Sequence, residues 1–294
     1  MINLLLIILL TCLLTASPDL SATEKPSPIK LGGTIGALND RSITDAEIAF
    51  QVIFNELLAE ANESFSLKIY KDQNLLFDRF RRGELQGILT GSLHFIELDS
   101  LIHNSARYSV QYGDKLKQNY LLLVRHDDNL TSLRQLKEKT LSMGASHQVG
   151  KLFLDVELLQ QQLPLSDQFF KEIHIVKGDN TSIIDLYFGK VDAAVVPKFT
   201  FETSQTLNPQ IKNKIEVLAS SEPMIHQVVG LRHDFPQHRI DNFEPHILTD
   251  QPSKRLINVF ETFGIERIHR VTEESFKEVK SLQNRYNKLN GLSQ

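Results

Sequence analysis

Four loops of the sequence combine Gly, Ser, Thr, Asn and Gln at points where a short apolar segment gives way to a helical pattern. Such loops offer backbone N–H groups together with hydroxyl and amide side chains, which suits hydrogen bonding to a small anion. In open α/β sheets, ligands bind where strands end and loops lead into helices. The four loops are Gly32 to Thr44, Thr90 to Phe95, Ala145 to Gly150 and Gly178 to Ser182.

The third loop, within SMGASHQVG, does not match a nucleotide-binding P-loop. A P-loop has four residues between its glycines, and a Ser or Thr that holds magnesium follows its Lys. Here five residues separate Gly144 from Gly150, and Leu152 follows Lys151. The loop is therefore not expected to bind a nucleoside triphosphate. Its alternative interpretation is a plain strand-to-helix turn in which Ser146 caps the helix.

Patterns typical of catalysis or metal binding are not found in the sequence. No G-x-S-x-G nucleophile elbow occurs. The histidines His226, His233, His238 and His246 lack the H-x-x-x-H or H-E-x-x-H spacing that places two imidazoles on one helical face. We therefore expect these histidines to lie at the surface, and we expect no metal site, no cofactor and no enzymatic activity.

Short apolar segments alternate with amphipathic segments from Ile29 onward, which indicates an α/β protein. A helix is predicted from Thr44 to Asn62, with Glu47 three residues after Thr44 as in a capping box. The βαβαβ order of this first part predicts a mostly parallel sheet with helices on both faces. A second set of strands and helices begins near Asn119. Two α/β units, the second inserted within the first, account for the length.

The first residues have the features of a secretory signal peptide, covering residues 1–22. An apolar run ending at Leu14 is too short to cross a bilayer and is followed by small residues, so cleavage is expected near Ala16 or Ala22. The residue before Cys12 is threonine, which does not fit a lipoprotein signal, so no lipid anchor is expected. Since Cys12 is the single cysteine, the mature chain depends on a packed core without disulfides.

The charge balance argues against a nucleic-acid partner. The chain has 32 basic and 36 acidic side chains, and it contains no basic run of the kind that follows a phosphodiester backbone. After the leader, no segment approaches the roughly 20 apolar residues of a membrane helix. The mature protein is therefore expected to be soluble, and a monomer is expected.

Three phrases carry a family resemblance. The stretch NYLLLVRHDDNLTSLRQLKEKTLSMGASHQVGKLFLDVELL, beginning at Asn119, resembles the extracytoplasmic solute-binding proteins of phosphate, phosphite and phosphonate ABC transporters. Two later phrases, KGDNTSIIDLYFGKVDAAVVP and ASSEPMIHQVVGLRHDFP, are similar to segments that follow in the same order in that family. These proteins form a branch of the type II periplasmic binding fold.

The resemblance implies a two-lobed α/β protein in which each lobe is a mostly parallel sheet flanked by helices. Lobe I is expected to comprise residues 23–117 and 222–294, and lobe II, inserted within it, residues 118–221. Two crossing segments, expected near residues 118–122 and 217–221, would form a hinge with the ligand between the lobes.

The resemblance also implies the ligand contacts, position by position. The candidate ligand-binding residues are Ser146, His147, Gln148, Thr90, Gly91, Ser92, Asn180 and Thr181. The family loop often reads Ser-Thr-Ser-Gly where this chain has Ser-His-Gln-Val, and Pro197 stands where an acidic or polar residue is common. An ammonium-bearing phosphonate is therefore not the expected ligand. His147 is interpreted either as positive charge for an anion or as an exposed loop residue.

The function that the resemblance implies is capture of a phosphate-, phosphite- or phosphonate-like anion in the periplasm, for delivery to an ABC permease. The altered ligand loop motivates an alternative, a ligand-sensing periplasmic module for a membrane sensor kinase or cyclase. A third possibility is an enzyme on the same fold, such as a prephenate-dehydratase-like or thiamine-precursor enzyme. The sequence shows no catalytic constellation for it.

Overall fold

The structure is a computed structural model, and it describes residues 27–34, 43–58, 61–144 and 148–292. The expected signal peptide with Cys12 lies outside the described residues, and so do Ser146 and His147. Two sheets flanked by helices organise the described chain, which confirms the predicted two-lobed α/β fold. Within these ranges, no helix is both long enough and apolar enough to span a bilayer.

The helices and strands are numbered in chain order. They are β1 Ile29–Thr34, α1 Ile43–Leu58, β2 Phe65–Tyr70, α2 Gln73–Arg81, β3 Gly87–Gly91, α3 Ser92–Glu97, β4 Ile102–Tyr112, β5 Tyr120–Arg125, β6 Thr140–Gly144, α4 Gln148–Gln160, α5 Ser166–Phe169, β7 Glu172–Val176, α6 Asp179–Tyr187, β8 Ala193–Pro197, α7 Lys198–Leu207, α8 Gln210–Lys214, β9 Ile215–Ser220, β10 Gln227–Arg232, α9 Gln237–Ile247, α10 Lys254–Phe263, β11 Ile265–Arg270 and α11 Lys277–Leu289.

The first sheet has six strands in the order β11-β4-β10-β3-β1-β2, and we call the part of the protein built on it lobe I. Strand β1 pairs in parallel with β2 and β3. Strand β10 is antiparallel to β3 and β4, and β11 is antiparallel to β4. The predicted parallel pairing therefore occupies one side of the sheet, and returning strands complete the other side.

The second sheet has five strands in the order β7-β6-β8-β5-β9 and forms lobe II. Strand β6 pairs in parallel with β7 and β8, whereas β5 is antiparallel to β8 and β9. The side chains of Leu121, Leu122, Leu123 and Val124 in β5 are all buried. A continuous apolar run is what a strand covered on both faces requires, and β5 lies inside the sheet between β8 and β9.

Two short segments connect the sheets. The chain leaves the first sheet after β4, enters the second at β5, and returns between β9 and β10, so the crossings are residues 113–119 and 221–226. They pair with each other, because the Gln118 N–H donates to Met224 O and the Met224 N–H donates to Gln118 O, both at 2.8 Å. The crossings are displaced by a few residues from the expected positions, outside the strands proper.

The C-terminal helix packs against both lobes. Phe276, just before α11, stacks on Phe95 of α3 with ring centroids 5.4 Å apart, within a core cluster of lobe I. Val279 and Leu282, one and two turns later, are buried in the main core cluster of lobe II. The apolar side of this helix therefore spans the junction between the lobes.

Several local expectations differ from the structure. Thr44 lies inside α1, which begins at Ile43, and Glu47 accepts a hydrogen bond from the Ile69 N–H of β2 at 2.7 Å. Glu47 therefore fastens the helix to the sheet, and the predicted capping box is wrong. Strand β4 was not predicted because Arg107 interrupts its pattern. That side chain is buried and its Nη1 lies 2.6 Å from Asp99 Oδ1, which compensates the charge.

Candidate functional site

A cleft of about 220 Å³ lies between the two lobes. Lobe I contributes the ends of β1, β2 and β3, the first residues of α3 and the start of β10, and lobe II contributes the starts of β5 and α4 and the end of β7. The lining residues are Thr34, Tyr70, Lys71, Gln73, Gly91, Leu93, His94, His226 and Gln227 from lobe I, and Tyr120, Gln148, Val149 and Ile175 from lobe II.

Strand direction determines which residues reach the cleft. The carboxyl ends of the parallel strands β1, β2 and β3 meet at this edge, as expected for an open α/β sheet. Strand β10 is antiparallel to β3 with Gln227 opposite Gly91, so its amino end lies at the same edge. Strand β5 is antiparallel to β8 with Tyr120 opposite Pro197, which brings its amino end there as well. The cleft is therefore lined by the carboxyl ends of β1, β2 and β3 and by the amino ends of β5 and β10.

On the lobe I side, the structure brings together the predicted residues of the β3 loop. Gly91 lines the cleft, and Thr90 and Ser92 on either side of it are fully buried. Thr90 Oγ1, Ser92 Oγ and His226 Nε2 are buried and have no hydrogen-bond partner among the described residues. Buried polar atoms are nearly always paired in native proteins, so three unpaired ones beside one cleft indicate a place for a ligand.

On the lobe II side, Gln148 at the start of α4 lines the cleft, but Asn180 and Thr181 do not. They lie in the first turn of α6, where Asn180 Oδ1 accepts a hydrogen bond of 2.9 Å from the Ser204 hydroxyl of α7. The structure therefore places the Asn180 side-chain oxygen in a contact within lobe II.

His226 and Tyr120 form a pair across the lobes that sequence reasoning missed. The Tyr120 hydroxyl and His226 Nδ1 lie 2.7 Å apart, and both side chains are buried. Burial lowers the pKa of His226 to about 4, so the imidazole is neutral at neutral pH. Burial raises the pKa of the Tyr120 phenol, and the Asp179 carboxylate raises it further, so the phenol keeps its proton.

The prediction that His226 lies at the surface is wrong, since its side chain is only 6 % exposed. The reason is its position one residue before β10, where an antiparallel strand enters the cleft edge. Its apolar neighbours Ile225 and Val228 in the sequence were the available signal. Lys71, at the end of β2, was also missed, although the rule that directed attention to strand ends applies to it.

Two glycines, Gly144 and Gly150, allow close packing on the lobe II side of the cleft. A side chain at position 144 would collide with the Asp179 carboxylate, which packs against the backbone at the end of β6. A Cβ at Gly150 would lie 2.9 Å from Val195 and 3.0 Å from the Tyr120 ring. Since such contacts are too close, glycine allows the start of α4 to approach β5 and β8 and fixes the ring of Tyr120 beside the cleft.

The basic side chains near the loop have different roles. Lys71 is exposed at the rim of the cleft, where its charge attracts anions. Lys151 Nζ lies 3.0 Å from Asp155 Oδ2 and 3.1 Å from Asp167 Oδ2, so it is held in ion pairs within lobe II. Lys151 is thus engaged where a P-loop lysine would contact phosphate. Within the described ranges, no cluster of three or more His, Cys, Asp or Glu side chains could hold a metal ion.

Aromatic rings join the lobes behind His226. Phe199 of α7 contacts the imidazole edge to face, with centroids 6.1 Å apart, and stacks on Tyr112 of β4 at 4.9 Å. His226 therefore contacts the rings of both Tyr120 and Phe199, two aromatic residues of lobe II. Rings in these geometries contribute about 0.5–1.5 kcal/mol per pair, so they fix the orientation of the imidazole.

Comparison with solved structures shows the same fold in proteins of low sequence identity. PhnD1 from Prochlorococcus marinus, solved in complex with methylphosphonate, is 17% identical with a TM-score of 0.68, covering 88% of this chain and 98% of its own. A binding protein component of an ABC phosphonate transporter from Pseudomonas aeruginosa is 11% identical, with a TM-score of 0.70 and coverages of 90% and 88%. A Xanthomonas citri protein bound to chloride is 14% identical, with a TM-score of 0.68 and coverages of 91% and 100%.

Sequence comparison identifies the family. No curated protein matches the chain in sequence. Residues 35–276, however, match the family described as "ABC transporter, phosphonate, periplasmic substrate-binding protein". This range includes the strands and loops that line the cleft from β3 to β10, together with both crossings. The chain belongs to the family of periplasmic substrate-binding proteins of phosphonate ABC transporters.

Proposed function

We propose that this protein captures a small phosphonate-like oxyanion in the cleft between its lobes and delivers it to an ABC permease. The family consists of substrate-binding transport proteins that act outside the cytoplasm. It favours transport over the alternative of a sensory module for a membrane kinase or cyclase. The fold is shared with a protein solved in complex with methylphosphonate, which supports that ligand as the first to test.

One observation carries the proposal, the three buried polar atoms beside the cleft that have no partner among the described residues. Thr90 Oγ1 and Ser92 Oγ are hydroxyl oxygens, and His226 Nε2 is a ring nitrogen. Leaving a buried polar group unpaired costs about 1–3 kcal/mol. A tetrahedral oxyanion would recover that free energy, because it offers several acceptor oxygens to donors on different sides.

The lobe II contacts complete the proposed site. Gln148 lines the cleft at the start of α4, a helix of 13 residues whose first backbone N–H groups have no intrahelical partner. We assign Ser146 and His147, which precede it, to the same anion-binding loop on the basis of the sequence. Asn180 and Thr181 would support that loop from the neighbouring α6.

Closure of the two lobes would trap the ligand. The crossings pair through Gln118 and Met224, and the proposed lobe boundaries at 117/118 and 221/222 lie within them. Short paired segments between rigid sheets are typical hinge positions. Closure would present to the permease a surface composed of both lobes, which the open form lacks.

Calorimetric titration of the mature protein tests the proposal. The protein is first unfolded, dialysed to remove bound ligand and refolded, and is then titrated with methylphosphonate, phosphite, phosphate and sulfate. We expect single-site binding of at least one phosphorus oxyanion, and weaker binding of sulfate. A folded sample that releases no heat with any of the four anions would contradict the proposal.

A matched variant locates the binding within the cleft. Lys71→Gln removes the positive charge at the rim without changing the buried donors. It should reduce affinity by less than about tenfold, and by less still at high salt, because exposed charges are screened. Binding that is unaffected by Lys71→Gln, Thr90→Val and Ser92→Ala alike would place the anion elsewhere on the protein.

A further inference from the structure

The neutral imidazole of His226 has one engaged nitrogen and one free nitrogen. Nδ1 lies 2.7 Å from the Tyr120 hydroxyl, whereas Nε2 is buried and has no partner among the described residues. His226 lines the cleft between the lobes and is more than nine-tenths buried. Among the described residues, this buried ring nitrogen therefore has no structural partner.

The partner of Nδ1 determines which nitrogen carries the proton. A neutral imidazole has one N–H donor and one acceptor nitrogen, and a tyrosine hydroxyl has one proton to donate. Among the described residues, the only hydrogen-bond contact of the Tyr120 hydroxyl is His226 Nδ1. If the phenol donates to Nδ1, its proton is satisfied and Nε2 must carry the imidazole proton. The opposite arrangement would leave a buried phenol proton without an acceptor, which is costly.

We propose that His226 is a specificity-determining ligand contact, a neutral N–H donor whose tautomer is fixed by Tyr120 and whose Nε2–H binds an oxygen of the captured oxyanion. The inference rests on the proposed function and adds to it a residue, a protonation state and a mode of recognition. The ligand would be recognised here by a directional hydrogen bond and not by an ion pair with an imidazolium.

The surroundings of His226 make this donor dependent on both lobes. Tyr120 starts β5 of lobe II, and Phe199 of α7 contacts the imidazole edge to face. His226 itself ends the second crossing. The Tyr120 backbone is bonded to the same crossing, since its N–H donates to Ser221 Oγ at 2.8 Å and its carbonyl accepts from the Ser221 N–H at 2.9 Å, so the donor is held in place where the lobes meet. A ligand that contacts Nε2–H therefore binds at the junction of the two lobes.

Two substitutions at one position separate shape from hydrogen bonding. His226→Phe keeps a ring but removes the donor, and His226→Gln keeps a neutral N–H donor of similar reach. A hydrogen bond to a charged partner corresponds to roughly a tenfold to hundredfold change in Kd. In calorimetric titrations with methylphosphonate, we expect the Kd to rise by that factor in His226→Phe and by less than about fivefold in His226→Gln. His174→Phe, on β7 and away from the cleft lining, is the matched control and should leave the Kd unchanged.

Nitrogen-15 NMR of protein labelled at histidine tests the tautomer directly. We expect one His226 signal set with the proton on Nε2, and a change in the Nε2 shift when methylphosphonate is added. Tyr120→Phe removes the group that fixes the tautomer, so this variant should show a mixture of tautomers and weaker binding. If Tyr120 and His226 only filled space, the tautomer population would not change in Tyr120→Phe, and the Nε2 shift would not change when methylphosphonate is added.

The outcomes distinguish this inference from the proposed function. Wild-type protein that binds none of the four oxyanions overturns both. Wild-type protein that binds methylphosphonate while His226→Phe binds equally well overturns the inference alone. If His226→Phe does not fold, the wild-type NMR experiment still decides the matter, because a proton on Nδ1, or an Nε2 signal that ignores the ligand, contradicts the inference.

Discussion

The two faces of the cleft use similar polar residues in opposite ways. On the lobe I face, the hydroxyls of Thr90 and Ser92 are buried and have no partner among the described residues. In lobe II, the Ser142 hydroxyl lies 3.0 Å from the Ser182 hydroxyl, and both serines are fully buried. Asn180 is likewise bonded to a side chain of its own lobe. These lobe II side chains are therefore hydrogen-bonded within their own lobe, whereas the Thr90 and Ser92 hydroxyls of lobe I have no such partner among the described residues.

This difference shows why residue type alone does not identify a binding site. Serine, threonine and asparagine occur on both faces, and each could bind an anion. What distinguishes them is whether a neighbour already takes their hydrogen bond, because an engaged hydroxyl gains little from a ligand. The unpartnered face is expected to lose affinity when altered, and the partnered face is expected to lose stability.

The largest expected effect is a loss of stability in acid, caused by His226 on the lobe I face. The pKa of His226 is about 4 in the folded protein and is near 6.5 when the chain is unfolded. Between these values the unfolded state binds more protons, so the free energy of unfolding falls as the pH falls from 6.5 to 4. The loss attributable to His226 is about 3 kcal/mol. Urea denaturation of wild type and His226→Phe across this range measures it.

The difference between the two proteins is the informative quantity, since other groups titrate as well. Burial, followed by the charge of Arg267, also lowers the pKa of His269, and this contribution is common to both. The variant should show a shallower decline of the free energy of unfolding with falling pH. Parallel curves for wild type and His226→Phe would show that the imidazole is not buried in neutral form.

The sequence predicts the fold well where composition follows burial directly. The continuous apolar runs of β5 and β8 correspond to strands covered on both faces. Strands β4 and β11 were not predicted, because charged residues such as Arg107 and Arg270 interrupt their patterns. Arg107 forms an ion pair with Asp99, which precedes β4, and Arg270 forms one with Glu244 of α9. Such pairings become visible only when the chain is folded.

Strand direction explains why the sequence predicts only part of the candidate site. Gly91 and Gln148 follow strands whose carboxyl ends point to the cleft, which a sequence pattern can indicate. Tyr120 and His226 enter from the amino ends of antiparallel strands, and strand direction is a property of the whole sheet. Their hydrogen bond joins residues 106 positions apart, so local spacing carries no signal for it.

The second prediction is that the Thr90 hydroxyl on the lobe I face contributes to affinity for the ligand but not to stability. Thr90→Val replaces the unpartnered hydroxyl with a methyl group of the same shape. Because the buried oxygen has no partner among the described residues, the free energy of unfolding should stay equal or rise by about 1 kcal/mol. Affinity for methylphosphonate should fall roughly tenfold or more, as for a lost hydrogen bond to a charged group. Ser92→Ala should act in the same direction.

Thr90→Ser is the matched control for this prediction. It retains the hydroxyl and removes only the methyl group, so affinity should return close to the wild-type value while stability falls slightly. Calorimetry gives the affinities, and thermal unfolding without ligand gives the stabilities. A Thr90→Val protein that is less stable than wild type and binds equally well would indicate a purely structural hydroxyl.

The smallest effect should come from the lobe II face, with the opposite pattern. Ser142→Ala removes one partner of a fully buried hydroxyl pair and leaves the Ser182 oxygen unpaired. The free energy of unfolding should fall by about 1 kcal/mol, measured by urea denaturation. Affinity for methylphosphonate should remain within about twofold, because the two hydroxyls are already bonded to each other and are not available to a ligand. If Ser142→Ala weakened binding as strongly as Thr90→Val, the two faces would share the ligand equally. Internal pairing would then no longer separate supporting residues from binding residues in this protein.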